Sequence, residues 1–203
     1  MADLFQLLEF GPNGWGDEIL SGAWLTIRLA LATLPFGLVL GFMVALARNS
    51  DSRLLQALGG AFTTIFRGLP ELLTLFIVYY GGQILLQKVV GLFTDAYVEV
   101  NGFVAGMVAL GVVFAAFSSE VFLAALRAIP AGPVEGSFAL GLTRLQTLRL
   151  IIFPQLWRYA LPGIANLWLV LLKDTSLVSI IALNDLLRMT NVVVGATKEP
   201  FFF

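Results

Sequence analysis

The chain contains no histidine and no cysteine. The first absence excludes a histidine-based catalytic triad and a histidine metal site; the second excludes disulfides, iron–sulfur clusters and thiolate zinc centres. Charge is also scarce. Asp, Glu, Lys and Arg make up 12% of the 203 residues, about half the share usual in a soluble domain. Twelve basic and thirteen acidic residues leave a net charge of −1, so no basic excess exists to neutralise a nucleic-acid backbone. What is present is apolar: 59% of residues are hydrophobic, with 17 Phe, and the mean hydropathy is +0.91. Disordered chains are charged and poor in aromatics. A soluble domain of this composition would expose large apolar patches. The class that remains is an integral membrane protein, read as a single domain over residues 1–203.

A membrane-spanning helix needs ~20 predominantly apolar residues, and four stretches supply them. Residues 29–47 carry no charge, and this span begins as early as Trp24. Residues 72–87 are uncharged, with residues 63–71 leading into them. Residues 100–119 are uncharged and continue to Leu126 with Glu120 inside, and residues 159–183 are apolar apart from Lys173 and Asp174. None alternates with a period of two, so the expectation is an all-α bundle rather than a barrel. The first twenty residues hold Asp3, Glu9, Asp17 and Glu18 and no base. A cleavable signal needs a basic start, so the first span is expected to stay as an anchor. At the other end, Lys198-Glu199-Pro200 reads as a turn before Phe201-Phe202-Phe203. Proline suits the first position of a helix, and a fifth span is expected to start here and run past the end of the chain.

The basic residues set an orientation. Arg48, Arg53 and Arg67 fall between spans one and two; Arg127, Arg144, Arg149 and Arg158 fall between spans three and four. The opposite side holds Lys88, Arg188 and Lys198 beside eight acids. The two arginine-rich loops are therefore expected in the cytoplasm and the N-terminus outside.

The loop over about 128–158 is the richest stretch. Ile129-Pro130-Ala131-Gly132-Pro133 ends the preceding helix, and residues 134–140 form two helical turns. Gly141 suits a left-handed stop, and Thr143 suits the cap of a second helix over 144–152 that Pro154 limits. Val134, Phe138 and Leu142 make a small apolar face. Such a helix either lies on the bilayer surface or plugs into a groove on a partner protein.

Glu135-Gly136-Ser137, then Gly141 after three residues, Ile151 after nine more, and Phe153-Pro154 after one resembles the EAA motif of ATP-binding-cassette importer permeases, E-A-A-x3-G-x9-I-x-L-P. Glu135, Gly141, Ile151 and Pro154 match in register; Gly136, Ser137 and Phe153 depart from it. The resemblance extends to Arg67-Gly68-Leu69-Pro70, to Ser119-Glu120-Val121-Phe122 and to Lys173-Asp174-Thr175-Ser176-Leu177, which is similar to the K-D-T-S-L of polar-amino-acid permeases. It covers roughly residues 20–203. Glu71 after R-G-x-P, and the Glu199-Pro200-Phe201 ending, look like the histidine, arginine/ornithine and opine subgroup.

The resemblance implies an all-α membrane bundle of the type I importer (MetI-like) kind in the bacterial cytoplasmic, or inner, membrane. It implies that Val134, Glu135, Gly136, Ser137 and Phe138, closed by Gly141 and bounded by Pro154, dock onto a separate ATPase. Two copies of that ATPase would hold ATP-Mg, this chain holding no cofactor. A second permease subunit, identical or related, and an external or periplasmic substrate-binding protein complete the implied assembly. Consistent with a separate ATPase, the chain has no G-x-x-x-x-G-K-[ST] phosphate loop.

Each ionisable residue within a span costs ~2.5–3.5 kcal/mol on insertion scales and needs a reason. Glu120 either pairs with Arg67 or Arg127 near a helix end or faces a translocation path. Lys173 and Asp174 point about 100° apart on one helix, so each needs a partner elsewhere. Asp174 with Thr175 and Ser176 is expected to line a substrate pocket, and Lys173 to belong with Arg67 to a structural charge network. Arg67 and Glu71, four apart, share a helix face that Pro70 kinks or opens. Glu71, Glu120 and Asp174 together favour a cationic substrate group. The expected function is the transmembrane subunit of an ATP-driven importer for a polar, basic amino acid or opine. The alternative is a secondary transporter or channel subunit without ATP coupling.

Overall fold

In a computed structural model, residues 7–11, 14–94, 97–181 and 183–202 are described. Seven helices follow in order, and no strand occurs among the described residues. They are α1 (Gly16–Arg48), α2 (Arg53–Gly68), α3 (Glu71–Val90), α4 (Gly102–Ala128), α5 (Ala131–Ala139), α6 (Arg144–Ile181) and α7 (Leu186–Thr197). The helices α1, α3, α4 and α6 are long and apolar enough to cross a membrane, one for each expected stretch.

The boundaries differ from expectation in instructive ways. Helix α1 starts at Gly16, a turn or more before Trp24, because Asp17 and Glu18 occupy its first turn, where acids are favoured by the helix dipole. Helix α4 starts at Gly102, with the Asn101 side chain accepting from the amides of Phe103 (2.9 Å) and Val104 (3.2 Å). The second loop helix does not stop at Pro154. It passes through a π-helical turn, Leu148–Ile152, and continues as Phe153–Asp174. Local π adjustment re-satisfies backbone groups around a proline in membrane helices. Helices α2 and α7 were not expected. Arg67 and Glu71 do not share a helix: Leu69 is extended (φ −83°, ψ 138°), as residues before proline are forced to be, and α2 ends before α3 begins.

The chain divides into two compact units, each assembled from separate stretches: residues 1–33, 70–110 and 171–203, and residues 34–69 and 111–170. In the second unit, α1 and α4 approach closely. A Cβ on Gly37 would meet the Phe114 ring and the Gly111 carbonyl, and one on Gly41 would strike Ser118 and the Ala115 carbonyl. This is the small-xxx-small contact by which membrane helices pack backbone to backbone. Ala45, Phe122, Leu156, Ala160 and Ile164 form the adjoining core, with Phe42 edge-on to Phe122 at 5.3 Å. In the first unit, Leu29, Leu75, Leu171, Val178 and Val193 are buried. There α1 is tied to α7 by the Leu186 amide, which donates to the Thr26 hydroxyl (3.1 Å). Gln83 of α3 holds the segment before α4 by bonding Val98 O (2.8 Å) and Val100 N (2.6 Å).

Candidate functional site

The loop between α4 and α6 is a tightly hydrogen-bonded structure. Gly141 takes φ +81°, which only glycine adopts without strain, and Leu142 N–H returns to Ser137 O (3.0 Å). Thr143 and Gln146 then form a reciprocal capping box at the start of α6. Within α5, Val134 is half-buried and Ser137 is buried, whereas Glu135, Gly136, Phe138 and Leu140 are exposed. The side that faces outward therefore carries one carboxylate and two large apolar groups. Phe138 is 48% exposed and Leu140 is 84% exposed.

Ser137, a departure from the alanine of the resembled motif, has a structural reason. Its hydroxyl donates to Val134 O (2.6 Å) and lies 2.9 Å from the Thr147 hydroxyl. It is 3% exposed, so it faces the interior of the loop rather than a partner. Pro154 lies beyond the π turn on α6 and is exposed.

Glu120 sits between two arginines. Its Oε1 is 2.8 Å from Arg67 Nη1 and 2.8 Å from Arg48 Nη1. The Arg67 guanidinium also lies over the Phe117 ring at 5.5 Å, a favourable cation–π arrangement. Of the two partners expected for Glu120, the structure brings Arg67 to it and not Arg127. Arg48 was missed, because it looked like an ordinary positive residue at a helix end.

The segment after Leu172 is where α6 tightens into a 3-10 turn, Thr175–Ile181. A pocket of about 460 Å³ opens here, lined by Lys173, Thr175, Ser176, Thr26, Asp185 and Thr190, with apolar walls from α7. Lys173 and Asp174 meet different surroundings. Lys173 lines the pocket, whereas Asp174, on the adjacent face, does not and instead lies within the field of Glu71. The reason is rotation: one residue along the helix turns a side chain by about 100°, and the sequence does not say which of the two faces the pocket. Thr175 donates to Leu172 O (2.7 Å) and Ser176 to Lys173 O (2.7 Å). Their protons are thus engaged; Thr175 is fully buried, and the half-buried Ser176 hydroxyl has only lone pairs left to offer a ligand.

Asp185, one of the eight acids on the side opposite the arginine-rich loops, is 1% exposed. It caps α7, accepting from the amides of Leu187 (3.3 Å) and Arg188 (3.2 Å). Burial pushes its carboxyl above the ordinary carboxylate value, and the Arg188 and Leu187 amides pull against that. An Asp ahead of Leu-Leu-Arg was the available signal, since Asp is a preferred cap. No group of three or more Asp or Glu that would hold a metal ion occurs among the described residues.

Residues 37–192 match the family described as the binding-protein-dependent transport system inner membrane component. The chain is 40% identical over 199 residues to the nopaline transport system permease protein NocQ of Agrobacterium fabrum (strain C58), covering 97% of this chain and 84% of that protein. It is 37% identical over 190 residues to the histidine/lysine/arginine/ornithine transport system permease protein HisQ of Escherichia coli (strain K12), covering 94% and 83%. A crystal structure of an amino acid ABC transporter with histidines superposes with a TM-score of 0.75 at 26% identity, covering 92% of this chain and 84% of that one. The MetNI methionine ABC transporter in inward-facing conformations gives 0.54 at 25% identity, covering 88% and 73%. Of the two readings the sequence left, a permease subunit and an uncoupled secondary transporter or channel, the first stands. The chain belongs to the inner membrane component family of binding-protein-dependent transport systems.

Proposed function

We propose that this chain forms one subunit of the membrane path of an importer for a cationic amino acid or opine, driven by ATP hydrolysis in separate subunits. The observation that carries the reading is helix α5. It is a short helix on a hydrogen-bonded loop, joined to a membrane-spanning helix and presenting Glu135, Phe138 and Leu140 outward. An acid beside apolar knobs on a short helix suits insertion into a groove on a folded partner. That partner is a cytoplasmic ATPase present in two copies, which binds ATP and Mg. A second permease subunit and an external substrate-binding protein complete the assembly. The arginine-rich loops lie in the cytoplasm and the N-terminus outside, by the distribution of basic residues.

The pocket chemistry supports the substrate class. The Ser176 hydroxyl is a spent donor and a free acceptor, suited to ammonium or guanidinium N–H groups. Lys173 suits a carboxylate. An amino acid with a basic side chain offers both. Several relatives are named for such cargo, including nopaline and histidine/lysine/arginine/ornithine.

The test is co-purification with the candidate ATPase, with and without Glu135→Lys, followed by uptake in proteoliposomes. Association is expected to be lost in the variant, and uptake to require ATP. Uptake by the permease without its ATPase would overturn the proposal.

A further inference from the structure

The two ends of helix α5 are attached very differently. Upstream, α4 ends at Ala128 and Pro130 is extended (φ −63°, ψ 143°). Among the described residues, the one backbone bond outside the helices at this joint is long, from Ile129 N–H to Leu126 O at 3.4 Å. Ile129 packs against the core that α4 and α6 share through Phe122 and Leu156, so it is held on the membrane side of the joint. Pro130 has no N–H to add to the link.

Downstream the attachment is dense. Leu140, Gly141 and Leu142 amides return to Gly136, Phe138 and Ser137 carbonyls at 3.0–3.1 Å. The capping box of Thr143 and Gln146 fixes the start of α6. Across the turn, the Ser137 and Thr147 hydroxyls meet at 2.9 Å, at 3% and 1% exposure. Proton accounting fixes the direction of that bond. The Ser137 hydrogen is given to Val134 O (2.6 Å), so Thr147 donates to Ser137. Water is excluded from both residues, so no solvent molecule competes for the contact.

We infer that Ser137 and Thr147 are positioning residues that fasten α5 to α6, so that a push on α5 is delivered into the span carrying Lys173–Ser176 while the loop pivots at Ile129–Pro130. The inference rests on the docking role proposed for α5 and adds which span receives the motion. Coupling travels through rigid elements with two arrangements. Here the rigid element is α5 plus the start of α6, and the compliant joint is on the α4 side.

The test uses the assembled importer, with its ATPase and binding protein, in proteoliposomes. Thr147→Val keeps the shape and removes the donor. The expected result is unchanged association with the ATPase, unchanged thermal stability to within a few degrees, and about a fivefold rise in ATP hydrolysed per substrate moved, the scale of one net hydrogen bond. Thr147→Ser, which keeps the hydroxyl, is expected to behave as the parent. The chain has no native cysteine, so Ser137→Cys with Thr147→Cys gives a clean cross-link in an importer otherwise freed of cysteine. The oxidised pair is expected to couple as the parent does and the reduced pair to slip. An unchanged ATP-to-substrate ratio in Thr147→Val, or slippage that oxidation of the double-cysteine variant does not reverse, overturns the clamp. Failure of the docking role is read separately, as unchanged association in Glu135→Lys.

Discussion

Two groups of charged residues lie on or beside the membrane-spanning helices, and they are treated in opposite ways. In the unit of residues 34–69 and 111–170, Glu120 is shared by Arg48 and Arg67 at 2.8 Å each. In the unit of residues 1–33, 70–110 and 171–203, Glu71, Lys173 and Asp174 form no ion pair among the described residues, and Lys173 lines an open pocket. Each group includes charge placed in a membrane-spanning helix, which is costly. The first offsets it internally, as a network that fixes geometry. The second leaves it open to whatever enters. Pairing thus separates the two groups.

The largest effect is expected where that difference is broken on the open side. If Lys173 meets a substrate carboxylate, Lys173→Met removes a charge-assisted hydrogen bond of ~1.5–3 kcal/mol, at least a tenfold rise in the uptake KM. The melting temperature of the purified importer is expected to stay within a degree or two. Asp174→Asn, which alters a group outside the pocket lining, is expected to raise the KM by less. Equal effects from the two variants would erase the distinction between the adjacent faces.

On the paired side the pattern inverts. Glu120→Gln leaves two arginines facing each other without their shared carboxylate. Arg48, Glu120 and Arg67 side chains are 20%, 33% and 44% exposed, so solvent and counterions soften the loss. About 1–2 kcal/mol is expected, below the 3–5 of a fully buried pair, read as a lowered melting temperature with the uptake KM unchanged. Combining Glu120→Gln with Arg67→Gln should cost less than the two single changes added together, as it does for residues in direct contact. Additive losses would mean the contact carries no coupling.

How much of this was legible beforehand follows from the range of each signal. Gly141 and Thr143 were readable because their reasons are local: a left-handed stop and a cap three residues from Gln146. The four spans were readable as long apolar runs. Helix α2 was not, because Arg53, Gln56 and Arg67 interrupt its apolar stripe of Leu54, Leu58 and Ile65. It shows itself only by helical periodicity, which a search for continuous runs passes over. Pro154 looked like a stop, since nothing local announces a π turn. The Glu120 network joins residues far apart in sequence, and the Arg48 partner has no nearby mark. Which of Lys173 and Asp174 lines the pocket was not legible either: they are neighbours on one helix, and only packing decides which one faces the opening.

Asp185 offers the finest test of the comparison, because among the described residues it is a buried acid that forms no ion pair and accepts from the backbone amides of Leu187 and Arg188. Its carboxyl is raised above the ordinary value by burial. The folded chain therefore binds this proton more tightly than the unfolded chain does. Between the unfolded and folded pKa values the native state carries more protons, so stability falls as pH rises through that window and is flat above it. Asn caps a helix about as well as Asp. Asp185→Asn is accordingly expected to abolish that part of the pH slope and to match or slightly exceed the parent at neutral pH. Asp185→Ala removes the cap and is expected to cost ~1 kcal/mol. Melts of the parent and Asn variant across acidic to neutral pH measure the difference directly. If the Asn variant is instead less stable at neutral pH, the charge itself is doing the holding, and Asp185 belongs with Glu120 among the paired residues.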